Sequence, residues 1–313
     1  MSVSPIGLGG AALANLYAEV SDADSDATVE QAWRSGVRFF DTAPHYGLGL
    51  GERRMGRVLA GKPRAEFTIS TKVGRLLVPD PDGASRRDVD GGFEVPADMR
   101  RVWDFSADGV RRSLDDSLQR LGLDRVDLVL IHDPDDHWEA AVGQAYPALH
   151  ELRSQGVIGA IGAGMNQSAM LTKFVTETEV DAVLLAGRYT LLDQSAALDL
   201  LPACAERGVS VIAAGVFNSG VLATDDPPEQ TTYNYSPAPA EIRDRALAIR
   251  EVCHRHGVTL PAAAIAFVQN RPEVATVLIG ARTAAEVAAN TAADAVDVPD
   301  ALWAELTELG LVA

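Results

Sequence analysis

The sequence predicts an α/β fold: a single (β/α)8 barrel of the TIM type, with long loops after strands 3 and 7 and an extra C-terminal helix. Along the 313 residues, eight short apolar runs alternate with eight stretches of helical periodicity. Eight strands and eight helices in a chain of this length are typical of a closed barrel. An open doubly wound sheet is the alternative. The glycines that separate a helical stretch from the next apolar run, as in repeated βα units, are Gly36, Gly61, Gly122, Gly156, Gly208 and Gly257.

The predicted strands are apolar runs bounded by turn residues, as expected of buried parallel strands. They cover Ile6–Gly9, Val37–Asp41, Phe67–Lys72, Val126–His132, Ile158–Ala163, Asp181–Gly187, Val209–Ala214 and Ala275–Ile279. The predicted helices cover Ser25–Ser35, Gly51–Ala60, Ala107–Leu121, Trp138–Ser154, Ser168–Thr176, Ser195–Arg207, Ala240–His256 and Thr283–Ala293. Pro261 opens an additional helix before the eighth strand, and Pro299 opens a terminal one. Because no linker divides the chain, residues 1–313 are expected to form a single domain.

Two long segments between predicted elements are rich in proline and glycine. Residues 74–104 follow the third strand, and residues 215–239, which include Tyr233 and Tyr235, follow the seventh. Loops this long are uncommon in a compact domain unless they are functional or disordered. In a barrel, the loops after the strands surround the active site, so both are predicted to wall a substrate pocket. Surface insertions without a function are the alternative.

Charge and composition exclude several classes of function. A formal net charge of −17 disfavours nucleic acid as a partner, because phosphate binding needs a basic surface. No apolar run is long enough to span a membrane, and the N-terminal residues lack a signal-peptide pattern. The two cysteines, Cys204 and Cys253, are expected to be buried free thiols, which fits a reducing compartment. A cytoplasmic protein is therefore expected.

Ionisable side chains stand at the ends of three neighbouring predicted strands. Asp41 ends the second strand, Lys72 the third and His132 the fourth, while Tyr46 lies in a turn just after Asp41. Because adjacent parallel strands lie about 4.8 Å apart, these groups can converge at one rim of the barrel. A lysine ammonium near a tyrosine should lower the tyrosine pKa, which is ordinarily about 10. The set suits proton transfer at a carbonyl or alcohol oxygen, with hydride exchanged with a bound cofactor.

Distinct roles are predicted within this set. Tyr46 exchanges the proton, Asp41 keeps Lys72 charged and fixed, and His132 orients the substrate oxygen. Each residue also has a purely structural interpretation. Asp41 can cap its turn, Lys72 can be a solvated residue at a strand end, and His132 can be an ordinary loop residue. Their matched positions at three strand ends favour the catalytic interpretation.

Several motifs resemble the aldo-keto reductase superfamily over nearly the whole chain. They are Phe-Phe-Asp-Thr-Ala-Pro-His-Tyr-Gly at 39–47, Gly-Glu-Arg-Arg-Met-Gly at 51–56, Ser-Thr-Lys-Val-Gly at 70–74, Val-Asp-Leu-Val-Leu-Ile-His at 126–132 and Ile-Gly-Ala-Arg at 279–282. The resemblance implies a (β/α)8 barrel and an NAD(P)-dependent oxidoreductase. It also implies that the catalytic residues are Asp41, Tyr46, Lys72 and His132, with Tyr46 as the general acid or base.

Further segments resemble the branch that contains D-threo-aldose (L-fucose) dehydrogenases and pyridoxal 4-dehydrogenase. They are Arg-Leu-Leu at 75–77, Ala-Gly-Arg-Tyr-Thr-Leu-Leu-Asp at 186–193 and Gly-Val-Phe-Asn-Ser-Gly at 215–220. The chain departs from the commoner superfamily pattern around the nicotinamide. Small residues such as Ala186 and Ala214 stand where a glutamine and a stacking aromatic are usual. Asn166, Arg188 and Phe217 are predicted to compensate as cofactor-binding residues.

The resemblance places the adenosine end of the cofactor after the last strand, at Gly280, Arg282, Glu286 and Asn290. A helix N-terminus there suits phosphate. Glu286 would repel a 2′-phosphate and could accept a hydrogen bond from a ribose hydroxyl, which favours NAD over NADP. Arg282 could still bind a 2′-phosphate, and Glu286 could instead be an ordinary solvated helix residue.

Two other patterns are rejected as functional motifs. The segment 7–12 matches a GxGxxA fingerprint, but too few residues precede it for a βαβ unit. His254 and His256 resemble a metal-binding pair, yet residues two apart on a helix diverge, so no metal site is predicted. His45 and Trp103 are candidates for contact with the substrate, although packing at the rim is the alternative for Trp103.

The predicted substrate is a polar small molecule with a cyclic hemiacetal. The first choice is L-fucose, oxidised at C1 to a lactone, and the alternative is pyridoxal, oxidised to 4-pyridoxolactone. A non-catalytic cofactor-binding subunit and a metal-dependent hydrolase are alternatives from other classes. The intact set of Asp41, Tyr46, Lys72 and His132 disfavours the first of these, and the absence of a ligand cluster disfavours the second.

Overall fold

A computed structural model describes residues 3–229, 232–234 and 236–313, so Tyr235 lies outside the described residues. The eight parallel strands of the structure are β1 (Ile6–Gly9), β2 (Phe39–Asp41), β3 (Thr68–Val73), β4 (Leu128–His132), β5 (Ala160–Met165), β6 (Ala182–Ala186), β7 (Ser210–Ala214) and β8 (Val274–Gly280). They close into a barrel in the order β1-β8-β7-β6-β5-β4-β3-β2. Because β1 pairs with both β2 and β8, the predicted barrel is confirmed and the open sheet is wrong.

Helices surround the barrel. They are α1 (Asp22–Arg34), α2 (Leu50–Leu59), α3 (Ala107–Leu121), α4 (Tyr146–Ser154), α5 (Ser168–Glu177), α6 (Leu200–Arg207), α7 (Ala240–Arg255), α8 (Leu260–Gln269), α9 (Ala284–Asp294) and α10 (Asp300–Glu308). The additional helix before the eighth strand and the terminal helix are both confirmed. The predicted helix Trp138–Ser154 keeps its bounds but contains a π-helical turn, whereas the predicted start at Ser195 is wrong. Trp138–Ala140 and a π-helical turn, Ala141–Ala145, precede α4, and a short 3₁₀ turn, Ser195–Ala197, precedes α6.

The strands read as continuous apolar runs because both of their faces are buried. Leu128 and Leu130 of β4 point into the barrel, where they pack with Phe39 and Leu278 from other strands. The alternate positions of the same strand, Val129 among them, pack against the surrounding helices. The inward and outward layers together leave the polar residues at the strand ends, where the site lies.

The insertion after β3 is an ordered wall rather than an unstructured loop. Arg75–Pro79 pairs antiparallel with Met99–Trp103, and Arg87–Asp88 pairs with Phe93–Pro96. The second of these hairpins also binds the loop after β1, since the Glu94 amide donates to the Asn15 carbonyl at 2.9 Å. This arrangement holds a wall of side chains over one side of the barrel mouth.

Helix α2, which follows the Tyr46 turn, is fixed by a buried carboxylate. Glu52 is fully buried. It accepts hydrogen bonds from the Thr71 hydroxyl at 2.7 Å and from the Arg120 Nε at 2.5 Å. Thr71 lies in β3 beside Lys72 and Arg120 lies in α3, so Glu52 joins all three elements beneath the site.

The close packing of α2 against α3 leads to a prediction about stability. A Cβ at Gly56 of α2 would lie 2.1 Å from the Leu121 carbonyl oxygen of α3. We expect Gly56→Ala to lower the free energy of unfolding by about 1–3 kcal/mol, because backbone must move to admit the methyl group. Urea unfolding checks this. The control is Gly61→Ala, whose nearest neighbour would lie 3.6 Å away. Equal unfolding midpoints for the two variants would contradict the expectation.

Candidate active site

The structure brings Asp41, Tyr46 and Lys72 into direct contact around one ammonium group. Lys72 donates to Asp41 Oδ2 at 2.6 Å, to the Thr42 carbonyl at 2.9 Å and to the Tyr46 hydroxyl at 3.1 Å. Ser70 donates to the other carboxylate oxygen of Asp41 at 2.7 Å. The side chains of Lys72 and Asp41 are 1% and 2% exposed. Lys72 is therefore a buried cation with one carboxylate and one phenol, not a solvated residue at a strand end.

The protonation states follow from burial and from this ion pair. Burial, the largest single influence, would lower the pKa of Lys72, but the charges and hydrogen bonds of Asp41 and Tyr46 together outweigh it and raise that pKa above its ordinary value. Burial raises the pKa of Tyr46 to about 12, and the opposing effect of Lys72 does not overcome it. The expectation that Lys72 lowers the Tyr46 pKa is therefore right for that contact alone and wrong for the net shift. At neutral pH, Tyr46 carries its proton.

His132 lies across from Tyr46, with their ring centroids 6.0 Å apart. Its pKa is held well below 6.5, first by burial and then by the charges of Arg75 and Lys72. The ring is thus neutral at neutral pH. Arg75, to which the sequence analysis gave no role, contacts its Nδ1 at 3.1 Å. A charged residue just past the end of β3, three positions after Lys72, was the available signal.

Tyr46 lies where two clefts meet. The first has a volume of ≈ 390 Å³ and runs from Asp41 and Tyr46 towards the loop after β8. The second has a volume of ≈ 640 Å³ and contains Tyr46, Lys72 and His132. One phenol hydroxyl can therefore serve reactants held in both clefts.

The first cleft fits a nicotinamide dinucleotide. Ala186 and Ala214, at the ends of β6 and β7, leave its floor open, and Asn166 and Phe217 line it as predicted. Among the described residues, Asn218 Oδ1 and Arg282 Nε border this cleft and are buried without a hydrogen-bond partner. An amide acceptor and a guanidinium donor suit the amide, hydroxyl and phosphate groups of such a cofactor.

The loop after β7 has a strained backbone where it lines the first cleft. Asn218 and Ser219 have φ angles of 47° and 58°, in the left-handed region that non-glycine residues seldom adopt. Strain of this kind is characteristic of ligand-binding segments. Asn218 was not singled out from the sequence, because its conformation depends on the loop as a whole.

At the far end of the first cleft, Gly280, Arg282 and Glu286 all line the wall. Glu286 accepts a hydrogen bond from the Arg282 amide at 2.7 Å, and Thr283 caps α9 by accepting from the Glu286 amide at 3.2 Å. Glu286 is therefore an exposed carboxylate that helps to cap α9 and also borders the cleft.

Two predicted cofactor-binding residues do not line the first cleft. Arg188 donates to Asn234 Oδ1 at 2.7 Å, and Asn234 lines the cleft in its place. Asn290 borders a different, small cavity next to Val287. Ala11 and Ala12, from the rejected fingerprint, do line the cleft, but they belong to a loop and a 3₁₀ turn instead of a βα fingerprint.

The wall of the second cleft combines apolar residues, such as Leu16, Phe93 and Leu184, with polar ones. The polar part of its lining includes His45, Arg75, Asp133, Asp135, Asn166 and Gln167. His45 was predicted to contact substrate and does line it, with a pKa lowered to about 2 by burial and by Arg75. Trp103 is not in the lining; its ring lies against Phe105 and carries the Arg75 guanidinium 4.3 Å from its centroid. Trp103 thus supports a residue of the cleft instead of facing it.

The two histidines considered as a metal-binding pair, His254 and His256, have separate partners in the structure. His254 bonds Asp225 and His256 bonds Glu305, each at 2.7 Å, so the two rings have separate partners. Within the described part of the chain, no group of three or more His, Cys, Asp or Glu side chains is arranged to hold a metal ion. No helix among the described residues is both long and apolar enough to cross a membrane.

Comparison with known proteins identifies the family. The model of the aldo/keto reductase family matches residues 5–310. The chain belongs to the aldo/keto reductase family. It is an NAD(P)-dependent oxidoreductase, and its barrel agrees with that membership.

Two relatives that match this chain over its whole length are named as dehydrogenases. The chain is 46% identical to a D-threo-aldose 1-dehydrogenase of a Pseudomonas species, covering 100% of this chain and 95% of that protein. It is 40% identical to pyridoxal 4-dehydrogenase of Microbacterium luteolum, with the same coverage of 100% and 95%. The structure of a glycerol dehydrogenase from Gluconobacter oxydans superimposes with a TM-score of 0.80 at 24% identity, over 98% of this chain and 91% of that one. That likeness concerns the fold.

Proposed function

We propose that this aldo/keto reductase oxidises the cyclic hemiacetal of an aldose such as L-fucose at C1, giving a lactone, and reduces the corresponding carbonyl in reverse. The observation that supports it most is the Asp41–Lys72–Tyr46 chain of hydrogen bonds, which ends with a phenol hydroxyl at the junction of two clefts. The similarity to a D-threo-aldose 1-dehydrogenase supports the choice of sugar.

In this mechanism the side chains of the protein transfer one proton and position the groups that exchange it. For oxidation, Tyr46 as phenolate takes the proton of the C1 hydroxyl, and Lys72 stabilises the phenolate through its contact at 3.1 Å. Asp41 keeps Lys72 charged and oriented. His132 donates a hydrogen bond that fixes the substrate oxygen. The nicotinamide cofactor, when bound, accepts the hydride.

The residues proposed to hold the cofactor are those of the first cleft. All five line that cleft: we expect Asn166, Phe217 and Asn218 to bind the nicotinamide, and Arg282 and Glu286 to bind the adenosine part. The carboxylate of Glu286 supports NAD over NADP, because it would repel a 2′-phosphate. Its hydrogen bond to the Arg282 amide holds that charge in place.

The lining of the second cleft supports a polyhydroxylated substrate. Arg75, Asp133 and Asp135 offer charged donors and acceptors, and Asn166 and Gln167 add amides. Sugar hydroxyls can donate to the carboxylates and accept from the guanidinium. Pyridoxal is the second candidate, supported by the 40% identity to pyridoxal 4-dehydrogenase and by its own cyclic hemiacetal.

A single assay tests these proposals. Purified protein is mixed with NAD⁺ or NADP⁺ and with L-fucose, D-arabinose, pyridoxal or a plain aliphatic alcohol, and the absorbance of reduced nicotinamide is followed. We expect turnover with the sugars, and a higher kcat/KM with NAD⁺. Turnover with pyridoxal alone would replace the first candidate by the second. No turnover with any of them, despite measurable cofactor binding, would contradict both and favour a non-catalytic subunit.

A further inference from the structure

Arg75 holds His132 from one side of the second cleft. It is the first residue of the strand Arg75–Pro79, and its side chain is 11% exposed. One terminal nitrogen contacts His132 Nδ1 at 3.1 Å and the other donates to Asp133 Oδ2 at 2.7 Å. The guanidinium lies 4.3 Å above the Trp103 ring. Arg75 is therefore fixed at both of its terminal nitrogens and on one face.

The contact with Nδ1 determines where the His132 ring can carry its proton. A guanidinium has only donors and keeps its charge in proteins. The Nδ1 atom must therefore be the acceptor, and a neutral ring must carry its proton on Nε2. The Nε2 atom lies 3.5 Å from Asp133 Oδ2, an oxygen already engaged by Arg75 at 2.7 Å. That separation is too long for a strong hydrogen bond, so the Nε2 proton stays available to another acceptor.

We propose that Arg75 is a positioning residue that fixes His132 as the tautomer with its proton on Nε2, so that His132 donates to the substrate oxygen. This role rests on the proposed oxidoreductase function. Asp133 assists by orienting Arg75, and its φ angle of 42° lies in the left-handed region that non-glycine residues seldom adopt. Trp103, predicted as a substrate contact, serves instead as the surface on which Arg75 lies.

Charge supports the same assignment. The charged and titratable groups that face His132 come from four segments: Lys72 on β3, His45 and Tyr46 after β2, Arg75 and Arg101 on the first hairpin of the insertion, and Asp133 after β4. After burial, the charge of Arg75 is the largest influence that lowers the pKa of His132. Loss of Arg75 should therefore make His132 easier to protonate as well as releasing its Nδ1.

NMR spectroscopy measures the tautomer of His132 directly. The full-length protein is labelled with ¹⁵N-histidine, and long-range ¹H–¹⁵N correlations distinguish a proton on Nδ1, a proton on Nε2 and the doubly protonated ring. The His132 signals are those lost in His132→Gln. In the wild-type protein we expect the Nε2–H tautomer throughout the range from about pH 5 to pH 8, without titration. A proton on Nδ1, or titration of His132 near its ordinary pKa, would overturn the proposal.

Arg75→Met removes the donor while keeping an apolar stem against Trp103. We expect a mixture of His132 tautomers, titration of His132 within the measured range, and a roughly 10- to 100-fold fall in kcat, since a charge-assisted hydrogen bond is lost. KM should change less. Arg75→Lys keeps the positive charge, so we expect His132 not to titrate within the measured range, as in the wild-type protein. Arg100→Met removes an exposed arginine from the facing strand of the same hairpin and is the control.

The outcomes separate this proposal from the proposed function. If no test substrate is turned over but the Nε2–H tautomer is seen and is lost in Arg75→Met, the proposed function fails while the tautomer assignment stands. If turnover is normal in Arg75→Met, or its His132 tautomer matches that of the wild type, the role of Arg75 is wrong. Because the wild-type spectrum is itself decisive, a variant that fails to fold does not remove the test.

Discussion

Tyr46→Phe should reduce kcat by roughly 10²- to 10⁴-fold, the range that a general acid or base contributes. The substitution removes one hydroxyl, the group that accepts from Lys72 at 3.1 Å, and keeps the ring that borders both clefts. Cofactor affinity should therefore stay nearly unchanged. Steady-state rates in both directions and a fluorescence titration with NAD(H) measure the two quantities.

The control for Tyr46→Phe is Tyr146→Phe. The Tyr146 hydroxyl accepts from the Glu179 amide at 2.9 Å, outside both clefts. Its removal costs one hydrogen bond, so unfolding should shift slightly and kcat should not. Wild-type rates in Tyr46→Phe would exclude the tyrosine as the proton-transfer group and with it the proposed mechanism.

Lys72→Met should have the second largest effect, on rate and on stability together. Without the ammonium, no cation opposes burial and the charge of Asp41 at Tyr46, whose pKa is already raised to about 12, and the phenolate becomes still harder to form. Oxidation should fall by at least about 10²-fold and its rise with pH should move to higher pH, because the phenolate is the base. Rate profiles against pH for both directions check the sign. An unchanged profile would show that Lys72 does not act on Tyr46.

The same substitution leaves Asp41 as a buried carboxylate without its cation. Breaking such a pair from one side typically costs about 3–5 kcal/mol of unfolding free energy. The double variant Asp41→Asn, Lys72→Met removes both charges, and we expect it to regain much of that stability but none of the activity. Recovery of activity in the double variant would mean that Lys72 is needed only for folding.

Much of the site was predictable because strand-end positions follow from the chain order. Asp41, Lys72 and His132 each end an apolar run, and parallel strands place their carboxyl ends at one rim. Tyr46 follows from the Pro44 and Gly47 turn that returns the chain towards that rim. The cofactor residues were harder, since Asn166 and Phe217 line the first cleft whereas Arg188 and Asn290 do not. Their roles, like the extent of the single domain over residues 1–313, stay predictions.

The barrel, its helices and the four residues expected to be catalytic follow from the order of residues along the chain, because apolar periodicity and glycines at helix ends are local properties. Whatever depends on the surroundings of a side chain became known only from the folded structure. It showed that burial outweighs Lys72 at the Tyr46 hydroxyl, that Arg75 reaches His132 across 57 positions of sequence, and that Trp103 supports Arg75. Desolvation and contacts between distant loops are set only when the whole chain has packed, since they depend on which groups exclude water from which others.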